Sequence, residues 1–322
     1  MREYIFTKAE QDGRLEREDV LELLSIAVGS VDYYRLLELA EADAHRRFGN
    51  KGQIYAQIGL NASPCPANCG FCSLAKDVFN PDNSFTLPIE NVSGIAGQLA
   101  EAGADEIFLM TTADYDNEIF LKCGEAVRKL IPPTMRLVAN VGDFDLSYAS
   151  ELRSAGFTGA YHIRRLGEGK DTQLDPRQRI KTLDAIKSSG LELYYCVEPI
   201  GPEHSYEEIA DEIIRGRDYE ADVMAVMKRV CVPGTALWGR GEIDSDEQAK
   251  ICAVTELCVK PRRAMGVHEP DLKSLRAGAN QIYAEVSVNP RDLSLKTETG
   301  RGASVAKAEA MLKETGWGHQ RR

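Results

Sequence analysis

Hydrophobic residues from about residue 51 onward alternate between short apolar runs and longer segments with helical spacing. Runs of this length that are rich in β-branched and aromatic side chains are typical of buried strands. The predicted strands cover residues 54–60, 106–110, 135–140, 159–163, 192–197, 221–227, 263–267 and 281–286. The segments between them repeat apolar residues every three or four positions, which predicts helices over 89–102, 117–130, 175–188, 206–216 and 247–259.

Glycines mark the ends of several predicted helices. Gly103, Gly156, Gly190 and Gly278 each stand shortly before a predicted strand, and glycine adopts the left-handed conformation that ends a helix at little cost. Eight strand–helix units over about 260 residues match the size of a closed barrel. An open doubly wound sheet is the alternative, but no glycine-rich dinucleotide fingerprint follows the first strand. The sequence therefore predicts an α/β protein with a single (β/α)8 TIM-type barrel.

The segment before the barrel has helical spacing only. Residues 7–47 repeat apolar positions at Val20, Leu23 and Leu24 and again at Leu36 and Leu37, with charged residues between them. No linker or low-complexity tract divides the chain. We therefore expect N-terminal helices in residues 1–50, packed on the outside or lower end of a barrel formed by residues 51–322.

The charge and hydropathy of the chain argue against two classes of function, nucleic-acid binding and membrane insertion. The chain has 322 residues with 39 Lys and Arg against 50 Asp and Glu, a net charge of −11. An acidic chain lacks the usual electrostatic footprint of a nucleic-acid binder. The sequence shows neither an apolar run of the roughly 20 residues that span a bilayer nor an apolar signal core at its start. These features predict a soluble, cytoplasmic protein that binds neither nucleic acid nor membrane.

The cysteines are too sparse for a disulfide scaffold, but three of the eight fall within one short segment. Cys65, Cys69 and Cys72 follow the first predicted strand directly. That position is a loop at the carboxyl-terminal mouth of the barrel, where barrel enzymes carry their chemistry. Pro66 and Gly70 help this loop to turn sharply, so that three thiolates can surround one metal centre.

Three hypotheses compete for this cysteine segment. The thiols could simply be buried, although a loop rich in proline, asparagine and glycine makes that unattractive. They could bind structural zinc, which requires a fourth ligand that is not nearby in the sequence. They could also hold an iron–sulfur cluster, which ordinarily has four cysteine ligands. Three ligands would leave one iron open for a substrate or cofactor, and we favour this hypothesis.

The spacing Cys65-x-x-x-Cys69-x-x-Cys72, with Phe71 before the last cysteine, resembles the signature of the radical S-adenosylmethionine (SAM) superfamily. Residues 15–318 resemble its biotin synthase-like branch, which includes the hydrogenase maturase HydE, methylornithine synthase and the cofactor-assembly protein HmdB. The resemblance implies that a 4Fe–4S cluster binds SAM at its open iron and cleaves it reductively. The resulting 5′-deoxyadenosyl radical would abstract hydrogen from a substrate inside a cavity that excludes water.

The resemblance also implies SAM-binding residues. The segment Tyr161-His162-Ile163-Arg164-Arg165 is similar to a family segment whose arginine pairs with the SAM carboxylate, a bidentate and directional contact. Arg164 is the first choice for that role and Arg165 is the alternative in register. Thr111 and Thr112 end the second predicted strand, where family members contact the SAM amino group, and Phe71 is placed to cover the adenine.

The reaction within the branch stays open. Phe108, Val138 and Tyr195 occupy the approximate positions of the cysteines that hold the second cluster of biotin synthase, which disfavours sulfur insertion. Two cysteines at predicted strand ends remain, Cys196 and Cys231, which could act as a hydrogen donor, a substrate anchor or ligands of a second centre, or could simply be buried. The other polar residues at the predicted mouth that could bind substrate or SAM are Glu198, His268 and Arg291.

The sequence thus predicts a radical SAM enzyme acting on a small polar, amino-acid-like substrate in cofactor or amino-acid biosynthesis. A mutase, lyase or transferase reaction would fit. We expect a reducing partner such as flavodoxin or ferredoxin and an anaerobic setting. The rivals are a sulfur-insertion enzyme with a second cluster, and a zinc-bound structural or assembly protein.

Overall fold

A computed structural model of the chain describes residues 2–287 and 304–319, and it contains the predicted closed barrel. The barrel strands are parallel and their order around the barrel is β1-β10-β9-β8-β7-β6-β5-β4, with β1 paired to β4. The strands are β1 Gln53–Gly59, β4 Glu106–Met110, β5 Arg136–Asn140, β6 Gly159–Tyr161, β7 Glu192–Ile200, β8 Val223–Lys228, β9 Ala264–His268 and β10 Gln281–Ser287. A short antiparallel pair, β2 Asn61–Ala62 and β3 Phe85–Thr86, closes the loop that follows β1.

Helices surround the barrel and alternate with its strands. They are α1 Arg2–Glu10, α2 Arg17–Leu24, α3 Val31–Phe48, α4 Ile89–Ala102, α5 Asn117–Leu130, α6 Leu146–Ser154, α7 Pro176–Ser189, α8 Tyr206–Asp218, α9 Ser245–Val259, α10 Leu272–Leu275 and α11 Val305–Glu314. Gly103 and Gly190 end α4 and α7 in the left-handed conformation, as the sequence predicts. No helix among the described residues is both long enough and apolar enough to span a membrane.

The N-terminal helices pack on the outer side of the barrel. Helix α2 contacts α8 and α9, and α3 lies along α9. Tyr33 on α3 donates a hydrogen bond to Asp246 at 3.1 Å, and Arg47 near the end of the same helix forms an ion pair with the buried Glu256 on α9. The predicted helical extension is therefore present, and it covers one flank of the barrel and not its mouth.

Aromatic side chains fill the middle of the barrel. Tyr55, Phe108, Val138, Tyr194 and Tyr283 form one buried layer inside it. The sequence places Tyr195 with Phe108 and Val138 near the positions of the second-cluster cysteines, but Tyr195 does not join those two residues in this layer. Side chains alternate along a strand, and in β7 it is Tyr194 that faces inward, whereas the Tyr195 hydroxyl donates to Glu212 on α8 at 2.6 Å.

Substitutions at two helical glycines can measure how tightly the helices pack. A Cβ on Gly124 of α5 would overlap the ring of Phe157, whereas a Cβ on Gly94 of α4 would meet no atom within 4 Å. We expect Gly124→Ala to lower the free energy of unfolding by about 1–3 kcal/mol, because the added methyl overpacks the core. Gly94→Ala should raise it by about 1 kcal/mol through helix propensity. Urea unfolding of both variants measures this, and equal shifts would contradict it.

Candidate active site

The three clustered cysteines line a cavity at the carboxyl-terminal mouth of the barrel. Their loop connects β2 to β3 and is held by two distant loops. The peptide N–H of Gly70 donates to the carbonyl of Asp171 at 2.8 Å, and the carbonyl of Gly70 accepts from Leu237 N–H at 2.7 Å. Asn68 adopts a left-handed conformation with φ 45°, and its side-chain amide donates to Asp77 at 2.6 Å. The loop is therefore fixed in shape by backbone contacts that do not use the thiols.

The environment of the thiols fits an iron–sulfur cluster. All three cysteines are free of disulfides, and backbone N–H groups point at two of the sulfurs, from Ala113 to Cys65 at 3.5 Å and from Leu74 to Cys72 at 3.4 Å. Hydrogen bonds to cysteine sulfur are among the features that tune cluster potentials. Burial, together with the nearby Cys72 and Cys65, raises the pKa of Cys69 to about 12 although Arg165 acts to lower it. A bound metal centre would remove this penalty by taking the thiolates as ligands.

Arg165 lies in the cavity beside the cysteine loop. Its guanidinium is buried, and Nε and Nη1 have no hydrogen-bond partner among the described residues. Glu198 and Glu168 are its nearest carboxylates, at 3.6 and 3.7 Å. Burial alone would lower the pKa of Arg165, but the neighbouring Cys69, Glu168 and Glu198 outweigh it and raise the pKa. Arg165 thus presents a charged, unsatisfied donor pair next to the cysteines, which suits an anionic ligand.

Arg164, the first choice of the sequence analysis, points the other way. Its Nη1 atom forms an ion pair with Glu212 of α8 at 2.7 Å, on the outside of the barrel. The two arginines follow the end of β6 and face opposite sides, because adjacent residues of extended chain alternate. The structure therefore brings Arg165 to the cavity and leaves Arg164 on the helix side.

The predicted threonines and Phe71 all line the cavity. The Thr112 hydroxyl accepts from the side-chain amide of Asn61 at 2.7 Å, and Thr112 N–H donates back to Asn61 at 3.0 Å. The Thr111 hydroxyl is buried with no hydrogen-bond partner in the described part of the chain. Thr112 therefore holds the β2 segment in place through Asn61, whereas the hydroxyl of Thr111 is available to donate to a ligand.

Cys196, Glu198 and His268 lie close together, with Glu198 and His268 in the cavity lining and Cys196 buried beside them. Cys196 and Glu198 face inward from β7, and the Cys196 sulfur lies 3.9 Å from Nδ1 of His268 at the end of β9. The hydroxyl of Tyr161 donates to Glu198 at 2.7 Å. These residues from three different strands form a compact polar group above the aromatic layer.

Two predicted residues do not join this group. Cys231 is half-buried in the loop after β8, where its N–H donates to Glu242 at 2.8 Å. It is not among the described residues that line the cavity. Arg291 lies outside the described residues.

Arg179 and Tyr161 also line the cavity, and the sequence analysis assigned them no role. Arg179 on α7 is 4% exposed, donates to the carbonyl of Ile163 at 2.8 Å and pairs with Asp143 at 2.9 Å. It shares the buried face of α7 with Leu183 and Ile186. An arginine on an otherwise buried helix face was the signal that could have identified it.

The buried ring of His162, which follows β6, makes the stability of the fold depend on pH. Burial and then the nearby Arg179 lower the pKa of His162 to about 3, although Asp143 lies 3.3 Å away. In the folded state the ring stays neutral, whereas in the unfolded chain the histidine is protonated below about pH 6.5. The stabilisation is therefore complete above pH 6.5 and is lost as the pH falls from 6.5 toward 3.

We expect His162→Gln to reduce the acid sensitivity of the fold. Between about pH 7.5 and pH 5.5 the wild-type free energy of unfolding should fall by about 1.4 kcal/mol more than that of the variant. Urea titrations at both pH values measure the difference. The same pH dependence in both proteins would contradict the assignment.

The chain is similar in sequence to biotin synthases, at low identity. No protein-family model matches the chain. It is 21% identical over 318 residues to a biotin synthase of Leptospira interrogans, covering 94% of this chain and 86% of that protein. A biotin synthase of Rhodopirellula baltica is 23% identical over 264 residues, 79% of this chain and 71% of the relative.

Two solved structures share the fold. Methylornithine synthase (PylB) superposes with a TM-score of 0.83 at 18% identity, covering 98% of this chain and 97% of that one. The FeFe-hydrogenase maturase HydG from Carboxydothermus hydrogenoformans superposes with a TM-score of 0.80 at 13% identity, covering 98% and 78%. The predicted TIM-type barrel and the resemblance to the biotin synthase-like branch are confirmed by these comparisons.

Proposed function

We infer from this homology that the chain is a radical SAM enzyme of the biotin synthase-like branch with a 4Fe–4S cluster and SAM as cofactors, and we propose that its substrate is a small polar, amino-acid-like molecule. The observation that carries the proposal is the placement of Cys65, Cys69 and Cys72 around one cavity with the buried Arg165. When bound, the cluster and SAM supply one-electron chemistry that starts a radical on the substrate.

The chain's own residues would bind and orient these groups. The three cysteines would hold the cluster, which with only three protein ligands would keep one coordination position for SAM. Arg165, with two unsatisfied donors beside Cys69, would bind the SAM carboxylate, and the free hydroxyl of Thr111 would bind a second polar group of SAM. These contacts fix the orientation of the cofactor relative to the cluster.

The barrel interior would protect the reaction from water. Tyr55, Phe108 and Tyr283 line the cavity and belong to the buried aromatic layer beneath it. Large rings packed across a barrel leave no channel for solvent from the opposite end. The aromatic layer would therefore keep water away from the bound cofactor and substrate above it.

Polar groups on the cavity wall support an amino-acid-like substrate. Glu198, His268 and Glu285 line the cavity, and Gln57 donates to Glu285 at 3.3 Å. Carboxylates in such a position favour a ligand with an ammonium group. We further propose that a flavodoxin or ferredoxin supplies the electron in an anaerobic cytoplasm, since the predicted cluster requires a low-potential donor.

Sulfur insertion through a second biotin synthase-type cluster has less support. Phe108, Val138 and Tyr194 occupy the interior layer, whereas Cys123, Cys252 and Cys258 lie buried on helices outside the barrel. A zinc-bound structural protein would require a fourth ligand beside the cysteine loop, and none of the five histidines of the chain lies in that loop.

Electron paramagnetic resonance tests the proposal directly. Protein reconstituted anaerobically with iron and sulfide and reduced with dithionite should show a 4Fe–4S signal that changes when SAM is added. The iron content should be about four atoms per chain. A protein that takes up zinc but no iron would overturn the proposal, and about eight iron atoms per chain, enough for two clusters of the same type, would favour the sulfur-insertion rival.

A further inference from the structure

A second group of ligand-type side chains lies at the cavity, apart from the cysteine loop. The ligand atoms of Cys196, Glu198 and His268 all lie within 4.8 Å of one another. Cys196 and Glu198 belong to the same face of β7, two residues apart, and His268 ends β9. The three side chains therefore converge from two strands that are not adjacent in the barrel.

The residues between these strands explain how the side chains can meet. In the barrel register, Cys196 pairs with Ala225 of β8, and Ala225 pairs with Gly266 of β9. Alanine and glycine therefore place no long side chain between β7 and the end of β9 at the level of Cys196. His268 lies one layer higher and can reach toward β7.

The donor set and its spacing fit a divalent transition metal ion. Bond lengths of about 2.3 Å to sulfur and about 2.0–2.2 Å to nitrogen and oxygen place tetrahedral ligand atoms roughly 3.5 Å apart. The sulfur–nitrogen separation of 3.9 Å is close to that value before any adjustment. A thiolate and a carboxylate together balance the two positive charges of the ion, and the neighbouring Arg165, 3.6 Å from Glu198, keeps Glu168 as its carboxylate partner.

We propose that Cys196, Glu198 and His268 bind one divalent transition metal ion, with Zn²⁺ as the preferred ion, and that the fourth coordination position faces the cavity. Three protein ligands with one open position are the arrangement of catalytic zinc sites. The open position would take a carboxylate of the substrate. This metal site goes beyond the proposed function and is separate from the cluster at Cys65, Cys69 and Cys72.

Neighbouring groups provide the support that metal ligands require. Tyr161 donates to one oxygen of Glu198 at 2.7 Å and so orients the carboxylate. The ring of His268 lies between those of Tyr55 and Tyr161, with centroids 5.7 and 6.0 Å away. Burial raises the pKa of the Cys196 thiol, so binding of the ion would release the proton from that sulfur.

Metal analysis of the full-length protein, with its cluster reconstituted, tests the proposal. After incubation with Zn²⁺ and removal of loosely bound metal, we expect about one zinc per chain with the iron content unchanged. X-ray absorption at the zinc edge should show one sulfur at about 2.3 Å and nitrogen or oxygen ligands at about 2.0–2.2 Å. Zinc in the cysteine loop would instead show three sulfurs and a loss of iron.

Matched variants separate the two metal centres. Cys196→Ala and His268→Ala should each lose the zinc and keep the iron, whereas Cys231→Ala should keep both. Retained iron also shows that a variant is folded. Retention of zinc by Cys196→Ala, or a wild type with intact cluster that binds no zinc, would overturn the proposal. Absence of iron in the wild type would count against the proposed function and not against this site.

Discussion

Replacing Cys69 by alanine is expected to abolish cluster binding, and with it all cleavage of SAM. Cys69 is the central cysteine of the loop and lies 8% exposed between Cys65 and Cys72. Two remaining thiolates cannot hold a cluster that has only three protein ligands at the start. Iron in the reconstituted protein should fall from about four atoms per chain to below about one. Iron analysis and the absorbance of the cluster measure this.

Cys231→Ala is the matched control for this loss. Cys231 is also a free, partly exposed cysteine near the mouth, but the structure places it outside the cavity lining among the described residues. The control should keep its iron and its SAM cleavage. Retention of four iron atoms by Cys69→Ala would refute the assignment of the loop, and loss of iron from the control would identify Cys231 as a ligand.

Arg165→Gln is expected to weaken SAM binding by about 30-fold or more, since removing one partner of a buried charge pair costs about 2–5 kcal/mol. The guanidinium of Arg165 carries two unsatisfied donors in the cavity. Glutamine keeps polarity and much of the length but removes the charge and the forked geometry. Equilibrium dialysis of SAM against the cluster-loaded protein measures the dissociation constant, and iron analysis confirms that the cluster is retained.

The adjacent Arg164→Gln provides the control one residue away. Arg164 pairs with Glu212 on the outside of the barrel, and Glu212 would keep the Tyr195 hydroxyl and Arg215 as partners after the substitution. This variant should bind SAM with wild-type affinity. If Arg164→Gln weakens SAM binding and Arg165→Gln does not, the carboxylate site lies on the other face of the segment from the one proposed.

The barrel was predictable from sequence because its signal is repeated eight times. The predicted strand 106–110 coincides with β4, and most other strands differ from prediction by one to three residues at an end. The two-residue strands β2 and β3 were missed, since a pair this short leaves no periodic pattern. Periodicity predicts elements that recur, and it carries little information about the loops that shape the site.

The sequence predicts the position of the candidate site along the chain, but it does not show which side chains face the cavity. The spacing of Cys65, Cys69 and Cys72 is local, so it can be recognised without a structure. The choice between Arg164 and Arg165 depends on the last residue of β6, because a shift of one residue moves every following side chain to the other face. The same uncertainty applies to Tyr195. Arg179 was missed because its contact with the cavity depends on how α7 packs.

The clamped cysteine loop constrains the order in which the protein can mature. Gly70 is held by Asp171 and Leu237, which follow it by about 100 and 170 residues along the chain and are therefore synthesised much later. During translation, which proceeds at about 5–20 residues per second, the three thiols emerge well before the segments that give their loop its shape. Iron and sulfide delivered to a nascent chain would meet a flexible peptide. We therefore expect cluster insertion to follow folding of the chain through the segment after β8, which supplies the later of the two contacts.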